Sequence, residues 1–338
     1  MAACSPSSET AEAGTRRVTF GVGPWDGLRD EGVAGLRCRT LGRLGWRVSE
    51  IGLGGAWLAG RRGDLPLEES AEIVRQALAL GINYIDTARA YGRSEEILGV
   101  ALEGVSQPYR LATKAGCTPH GFDYSRDAVL ASFETSLRLL RRDRVDLLQL
   151  HEAPTAGWDR LMGKGGAAEA LHHLKQQGAV GAIGVTGRTP AFLARLAATD
   201  EFDTVLSYCD YDLTTRLARD ELLPVAARHK VGIVLGSPLR VGLLGQPREA
   251  ALPGYAEPLR PRLERLHDLA DREGMPLRHL ALRYLLSDAD VSTVLSGAGS
   301  VDEVRDVLAA AAAGALPGRV LAAIREIQGE AGNKERTE

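Results

Sequence analysis

Short runs of apolar and β-branched residues alternate with longer stretches in which apolar residues recur every three or four positions. The runs are Glu50–Leu53, Tyr84–Thr87, Arg110–Thr113, Leu147–Leu150, Ala182–Val185, Thr204–Ser207, Gly232–Leu235 and Ser292–Leu295, and each has the length of a strand. Between them the spacing predicts helices, clearest over Ala71–Leu80, Ala128–Leu140, Ala168–Gln176 and Leu259–Arg272. Strands separated by helices form parallel sheets, and eight such units predict an α/β fold, a closed (β/α)8 TIM barrel. The alternative is an open doubly wound sheet, which carries a G-x-G-x-x-G turn after its first strand. Here Gly52-Leu53-Gly54-Gly55 runs into Ala56, Trp57, Leu58 and Ala59, and Gly60 arrives one place late. The open-sheet reading fails.

Gly42 and Gly45 within Arg37–Arg47 predict a short hairpin ahead of the first run, placed to close the barrel bottom. Residues 1–36, rich in Ser, Gly, Ala and Glu, read as a flexible leader with one docked segment near Phe20–Trp25. The expected organisation is therefore a leader over 1–36 and a single barrel domain over 37–330.

Composition narrows the class of function. A net charge of −3 removes the electrostatic case for a nucleic-acid partner, since the arginines are interleaved with acids, as over Arg216 to Glu221. Cys4, Cys38, Cys117 and Cys209 show neither CxxC nor metal-ligand spacing and read as reduced thiols. No apolar run approaches the roughly 18 residues of a membrane span, and the N-terminus lacks the charged and apolar regions of a secretion signal. A soluble cytoplasmic protein is expected, a monomer or small homo-oligomer whose partner is a small-molecule substrate.

Reactive groups of a β/α barrel gather at the carboxyl ends of its strands. The second strand closes on Asp86 and leads to Tyr91, the third ends in Lys114, and the fourth ends in His151. Alone, each has an ordinary explanation: a turn cap, a packed phenol, a salt bridge, a satisfied imidazole. Together at three consecutive strand ends, they fit one chemistry. Hydride transfer at a carbonyl carbon requires a proton to move at its oxygen. A phenol can move that proton if an ammonium lowers its pKa, and a carboxylate holds the ammonium charged. Tyr91 is then the general acid/base, Lys114 its tuner, Asp86 the partner of Lys114, and His151 the donor that orients the substrate oxygen.

The segment Asp86-Thr87-Ala88-Arg89-Ala90-Tyr91-Gly92, with Ala112-Thr113-Lys114 and His151, resembles the catalytic pattern of the aldo-keto reductases. So do Ile183-Gly184-Val185-Thr186-Gly187, Ser237-Pro238-Leu239 before Gly242-Leu243-Leu244, and Val294-Leu295-Ser296-Gly297, so that the resemblance runs from about Leu41 to Ala312. Val205 to Tyr211 and Gly121 to Ser125 are similar to the L-galactose and D-threo-aldose (L-fucose) dehydrogenase branch, which implies oxidation of an aldose at C1 to a lactone.

The resemblance implies a nicotinamide cofactor held by Gly55, Trp57, Thr186, Gly187, Tyr208, Ser237, Leu239, Gly242, Gly297, Ala298, Ser300 and Asp306. Thr186-Gly187 replaces the Ser-Asn common in the family after the fifth strand, and Tyr208 replaces a frequent glutamine, both in the manner of the sugar dehydrogenase branch. Where a basic residue often meets the 2′-phosphate of NADP, Gly297-Ala298-Gly299-Ser300 precedes Asp302, Glu303 and Asp306. NAD is therefore expected over NADP, with Arg305 the one cation placed to reverse this. Trp57, Arg89 and His151 are the expected substrate contacts; Arg89 has the alternative of pairing with Glu95 or Glu96. His120 and Phe122 lie in a substrate-loop position. No metal site is expected, because His172 and His173 are adjacent on a helix and point apart. Two alternatives remain open: an NADPH-dependent aldehyde or ketone reductase, and a non-catalytic nicotinamide-binding regulatory subunit.

Overall fold

The structure, a computed structural model, describes residues 36–60, 63–251 and 259–332. The expected leader, with its Phe20–Trp25 segment and Cys4, lies outside the described residues except for Leu36.

Two antiparallel strands open the chain, β1 (Cys38–Leu41) and β2 (Trp46–Ser49), followed by the first barrel strand β3 (Ile51–Gly54). The barrel continues through β4 (Tyr84–Asp86) and β5 (Arg110–Ala115). A two-residue ribbon then intervenes, β6 (Cys117–Thr118) and β7 (Gly121–Phe122). Strands β8 (Val145–Leu150), β9 (Val180–Gly187), β10 (Thr204–Tyr208), β11 (Gly232–Gly236) and β12 (Thr293–Gly297) complete it. All eight barrel strands are parallel, in chain order, and β12 pairs with β3 from Val294↔Ile51 to Gly297↔Gly54 to close the ring. This is the (β/α)8 barrel that the alternation of runs predicts.

The predicted helices form as Leu67–Ala79, Arg126–Leu140, Ala167–Gln176 and Arg260–Arg272. The first begins earlier than its apolar period because its opening turn carries Glu68 and Glu69, which favour a helix N-terminus. Several strands run beyond their apolar stretches at the carboxyl end: β5 extends through Lys114 to Ala115, and β12 reaches Gly297. Apolar content alone stops short there, because the upper barrel interior accepts polar side chains that bond one another.

The alternation of side chains along a strand determines what enters the barrel. Tyr84, Ala112, Leu147, Ala182, Leu206, Val234 and Leu295 pack with Leu41 and Val48 of the hairpin into one interior cluster. Large and small residues interlock in this layer: a Cβ on Gly52 would lie 2.8 Å from Leu295 Cδ2 and 3.1 Å from Tyr84 Cδ1. Two residues farther along their strands, the same parity turns Asp86, Lys114 and Gln149 inward.

The hairpin seals the opposite end. Gly42 turns with φ 47°, and a Cβ there would come within 2.3 Å of Gly232 N, at the start of β11. Arg39 donates to the carbonyls of Leu286, Asp288 (2.7 Å) and Val291 (2.9 Å) and pairs with the buried Glu50 at 3.2 Å. Hairpin and barrel are thereby tied together below the floor. Among the described residues no helix is long and apolar enough to cross a membrane.

Candidate active site

A cleft of about 570 Å³ opens at the carboxyl ends of the strands. Asp86, Tyr91, Lys114 and His151 line it together, as the strand-end reading expects. Lys114 is buried, and its Nζ donates to Asp86 Oδ1 and to the Thr87 carbonyl at 2.9 Å, and lies 3.4 Å from the Tyr91 hydroxyl. Burial pulls the Lys114 pKa down, but Asp86 and then Tyr91 outweigh it, so the ammonium stays charged. The second Asp86 oxygen accepts from Gln149 Nε2 at 2.7 Å. Gln149 escapes notice in the sequence, although its place two residues before His151 on β8 gives it the inward parity.

Tyr91 lies in a tight turn: its N–H donates to the Ala88 carbonyl at 3.0 Å, and Gly92 follows with φ 56°. The Thr87 and Ser94 hydroxyls, 2.8 Å apart, tie the two ends of that turn. One expectation is corrected here. Burial raises the Tyr91 phenol above its ordinary pKa; Lys114 opposes this without outweighing it.

His151 continues β8, its N–H on the Ala115 carbonyl at 2.8 Å and its carbonyl on the Tyr124 hydroxyl at 2.7 Å. Its ring stands edge-on to Tyr91 with centroids 5.5 Å apart. Burial, and secondarily the charge of Lys114, lower its pKa to about 3, so the imidazole is neutral at physiological pH. Its buried Nδ1 has no hydrogen-bond partner among the described residues.

Gly55, Trp57, Thr186, Tyr208, Ser237, Leu239, Gly242 and Gly297 also line the cleft. Five expected contacts do not. Arg89 acts instead on the buried Glu95 carboxyl, which receives the Thr113 hydroxyl at 2.6 Å. Gly187 packs against Pro154, where a Cβ would be 2.5 Å from Cδ. Ala298 is buried, and Ser300 caps a helix by accepting from Glu303 N at 3.2 Å. Asp306 is held by Arg278 at 2.6 Å and His279 at 3.0 Å, and the Arg278 hydrogen bond leads in lowering its pKa to about 2.

The loop from Ser237 to Gly242 has left-handed φ at Ser237 (52°), Arg240 (47°), Val241 (54°) and Gly242 (96°). A β-branched residue in that region is strained, and successive residues of this kind turn backbone N–H groups into a concavity suited to anions. Phe122, named for its substrate-loop position, and Glu303, one of the acids after Ser300, line the cleft, and Glu152 and Val241 join them unforeseen. Phe122 is carried by the β6–β7 ribbon, too short to show a period. Glu152 is displayed by a left-handed residue (φ 52°) immediately after His151.

The chain matches the Aldo/keto reductase family over residues 50–328. It is 33% identical over 287 residues to L-galactose dehydrogenase of Arabidopsis thaliana, spanning 81% of this chain and 88% of that one. It is 28% identical over 285 residues to D-threo-aldose 1-dehydrogenase of a Pseudomonas species, spanning 75% and 86%. Among solved structures, an aldo-keto reductase from Bacillus halodurans in its holo form superposes with a TM-score of 0.74 at 29% identity, covering 86% of this chain and 96% of that one. This chain belongs to the aldo/keto reductase family.

Proposed function

We infer that this protein is an NAD-preferring dehydrogenase that oxidises a small aldose at C1. The observation that carries this reading is the tetrad: a phenol 3.4 Å from a charged, buried ammonium, beside a neutral imidazole, at the floor of one cleft. Aldo-keto reductases use nicotinamide cofactors, and the residues here fit one. The Ser237–Gly242 concavity suits a pyrophosphate, while Thr186 and Tyr208 lie nearer the tetrad and suit the ring. The bound nicotinamide would supply the hydride-accepting carbon.

The chain's own residues move the proton. Tyr91 acts as the phenolate that Lys114, fixed by Asp86 and Gln149, stabilises; it takes the proton of the anomeric hydroxyl as C1 is oxidised and becomes the neutral phenol. Neutral His151 binds the same oxygen through a ring N–H without adding a charge that would compete with Lys114. The preference for NAD rests on Glu303, which lines the cleft, while Arg305 is paired with Asp302 at 3.2 Å and Arg278 with Asp306. A 2′-phosphate there meets a carboxylate. The sugar assignment draws on the two dehydrogenases similar to this chain. A cytoplasmic location is in keeping with the free thiols of Cys117 and Cys209.

Absorbance at 340 nm, followed with NAD and NADP over a panel of neutral aldoses, tests this reading. NAD-linked oxidation by the wild type and a loss of roughly 10²–10⁴ in kcat for Tyr91→Phe, with cofactor affinity retained, are expected. Aldehyde reduction with NADPH alone would replace it with the general reductase reading, and full activity of Tyr91→Phe would remove Tyr91 from its role.

A further inference from the structure

Resting on the oxidoreductase reading above, we propose that Glu152 makes this site selective for neutral polyhydroxylated substrates and against anionic ones such as uronates and sugar phosphates. Its place in the fold is unusual. Glu152 directly follows His151 in the left-handed region (φ 52°), and both neighbouring elements pin its backbone. Its N–H donates to Thr186 Oγ1 at 3.2 Å, and its carbonyl accepts from the Tyr124 hydroxyl at 2.8 Å. The side chain is thereby committed to the cleft. The carboxylate faces the Tyr208 hydroxyl and acts on Tyr91, both in the cleft lining, and on Cys117 and Tyr124 beside it.

A carboxylate is a pure acceptor with two oxygens and matches a pair of neighbouring hydroxyls. The rest of the mouth supplies the other half of a sugar's requirements. Among the described residues four large hydrophobics are exposed, and three of them, Trp57, Phe122 and Val241, line this cleft. They offer apolar surface to the C–H face of a ring whose hydroxyls turn toward Glu152.

Charge decides what is rejected. The lining holds three carboxylates, Asp86, Glu152 and Glu303, against one ammonium, Lys114, which Asp86 already neutralises. Arg89, the cation best placed by sequence to receive an anionic substrate, does not reach the cleft. The nearby cation Arg188, over the Tyr208 ring, is paired with Asp210 at 3.9 Å. A substrate carboxylate or phosphate near Glu152 therefore meets a like charge in a partly desolvated site, which is costly.

The test is a saturation-transfer NMR titration of the full chain with pairs of neutral aldohexoses and their own uronates, with and without NADH. The wild type is expected to bind each neutral sugar at least about tenfold tighter than its uronate. In Glu152→Gln that ratio falls to about threefold or less, and Glu152→Ala weakens the neutral sugar as well. Equal affinity for both members of every pair, no binding of any neutral sugar, or an unchanged ratio in Glu152→Gln overturns the proposal. The two readings fail separately. Nicotinamide-linked turnover of an uncharged aldehyde upholds the oxidoreductase reading whatever the ratio, and the expected ratio without any turnover rejects that reading alone.

Discussion

At the level of single residues, the candidate site holds its groups in fixed charge states through what surrounds them. Lys114 and Asp86 are a buried pair whose remaining bonds are taken by Thr87 and Gln149, so neither is left with an uncompensated charge. His151 is buried neutral, and this has a consequence for stability. Folding lowers its pKa from 6.5 to about 3, so across that window the unfolded chain binds the extra proton. Stability therefore falls as pH drops through about 6.5 toward 3, at up to about 1.4 kcal/mol per pH unit. Urea unfolding between about pH 4 and pH 7 should show a shallower loss for His151→Asn than for the wild type. Parallel slopes would mean that the imidazole is not held neutral.

Elements determine which residues meet. The alternation on β4, β5 and β8 brings Asp86, Lys114 and Gln149 to one level of the barrel interior, while the loops beyond add Tyr91 and His151. The helix Val301–Ala312 contributes differently. Ser300 caps it, and Glu303 reaches back to accept from Gly299 N at 2.8 Å, so a carboxylate occupies a helix N-terminus where a phosphate would otherwise be welcome. Glu303→Gln preserves an acceptor for the cap and removes the charge. It should lower the KM for NADP by about tenfold relative to that for NAD. Steady-state kinetics with both cofactors would show this, and an unchanged ratio would place the preference elsewhere.

In the whole molecule, stability and chemistry occupy opposite ends of the barrel. The hairpin and its Arg39 staple lie below the floor, with the interior apolar layer between them and the tetrad. Arg39→Met leaves buried carbonyls and Glu50 short of a donor, which costs about 1–3 kcal/mol of stability. With the site at the other end, kcat/KM should stay within about twofold of the wild type when measured well below the melting temperature. A large loss of kcat/KM with unchanged melting would show that the two ends communicate.

Much of this was legible in the linear order of residues. Periods of two and of three to four reflect local backbone geometry, so the strand-and-helix alternation and the barrel could be read without coordinates. The tetrad residues were legible for a related reason, since the carboxyl end of a parallel strand always faces the same rim. The remaining contacts depend on how loops fold over that rim, which short spacing does not encode. Arg89 and Asp306 are charged and close in sequence to the motifs, yet Arg89 acts on Glu95 and Asp306 is held by Arg278 and His279 behind the wall. Glu152 and Gln149 enter the site through a left-handed backbone and strand parity, and of the acids the sequence sets after Ser300 the helix cap turns Glu303 to the cleft. Which charges face the ligand and which face a neighbour is settled by packing, because a buried charge takes the partner that long-range folding brings to it.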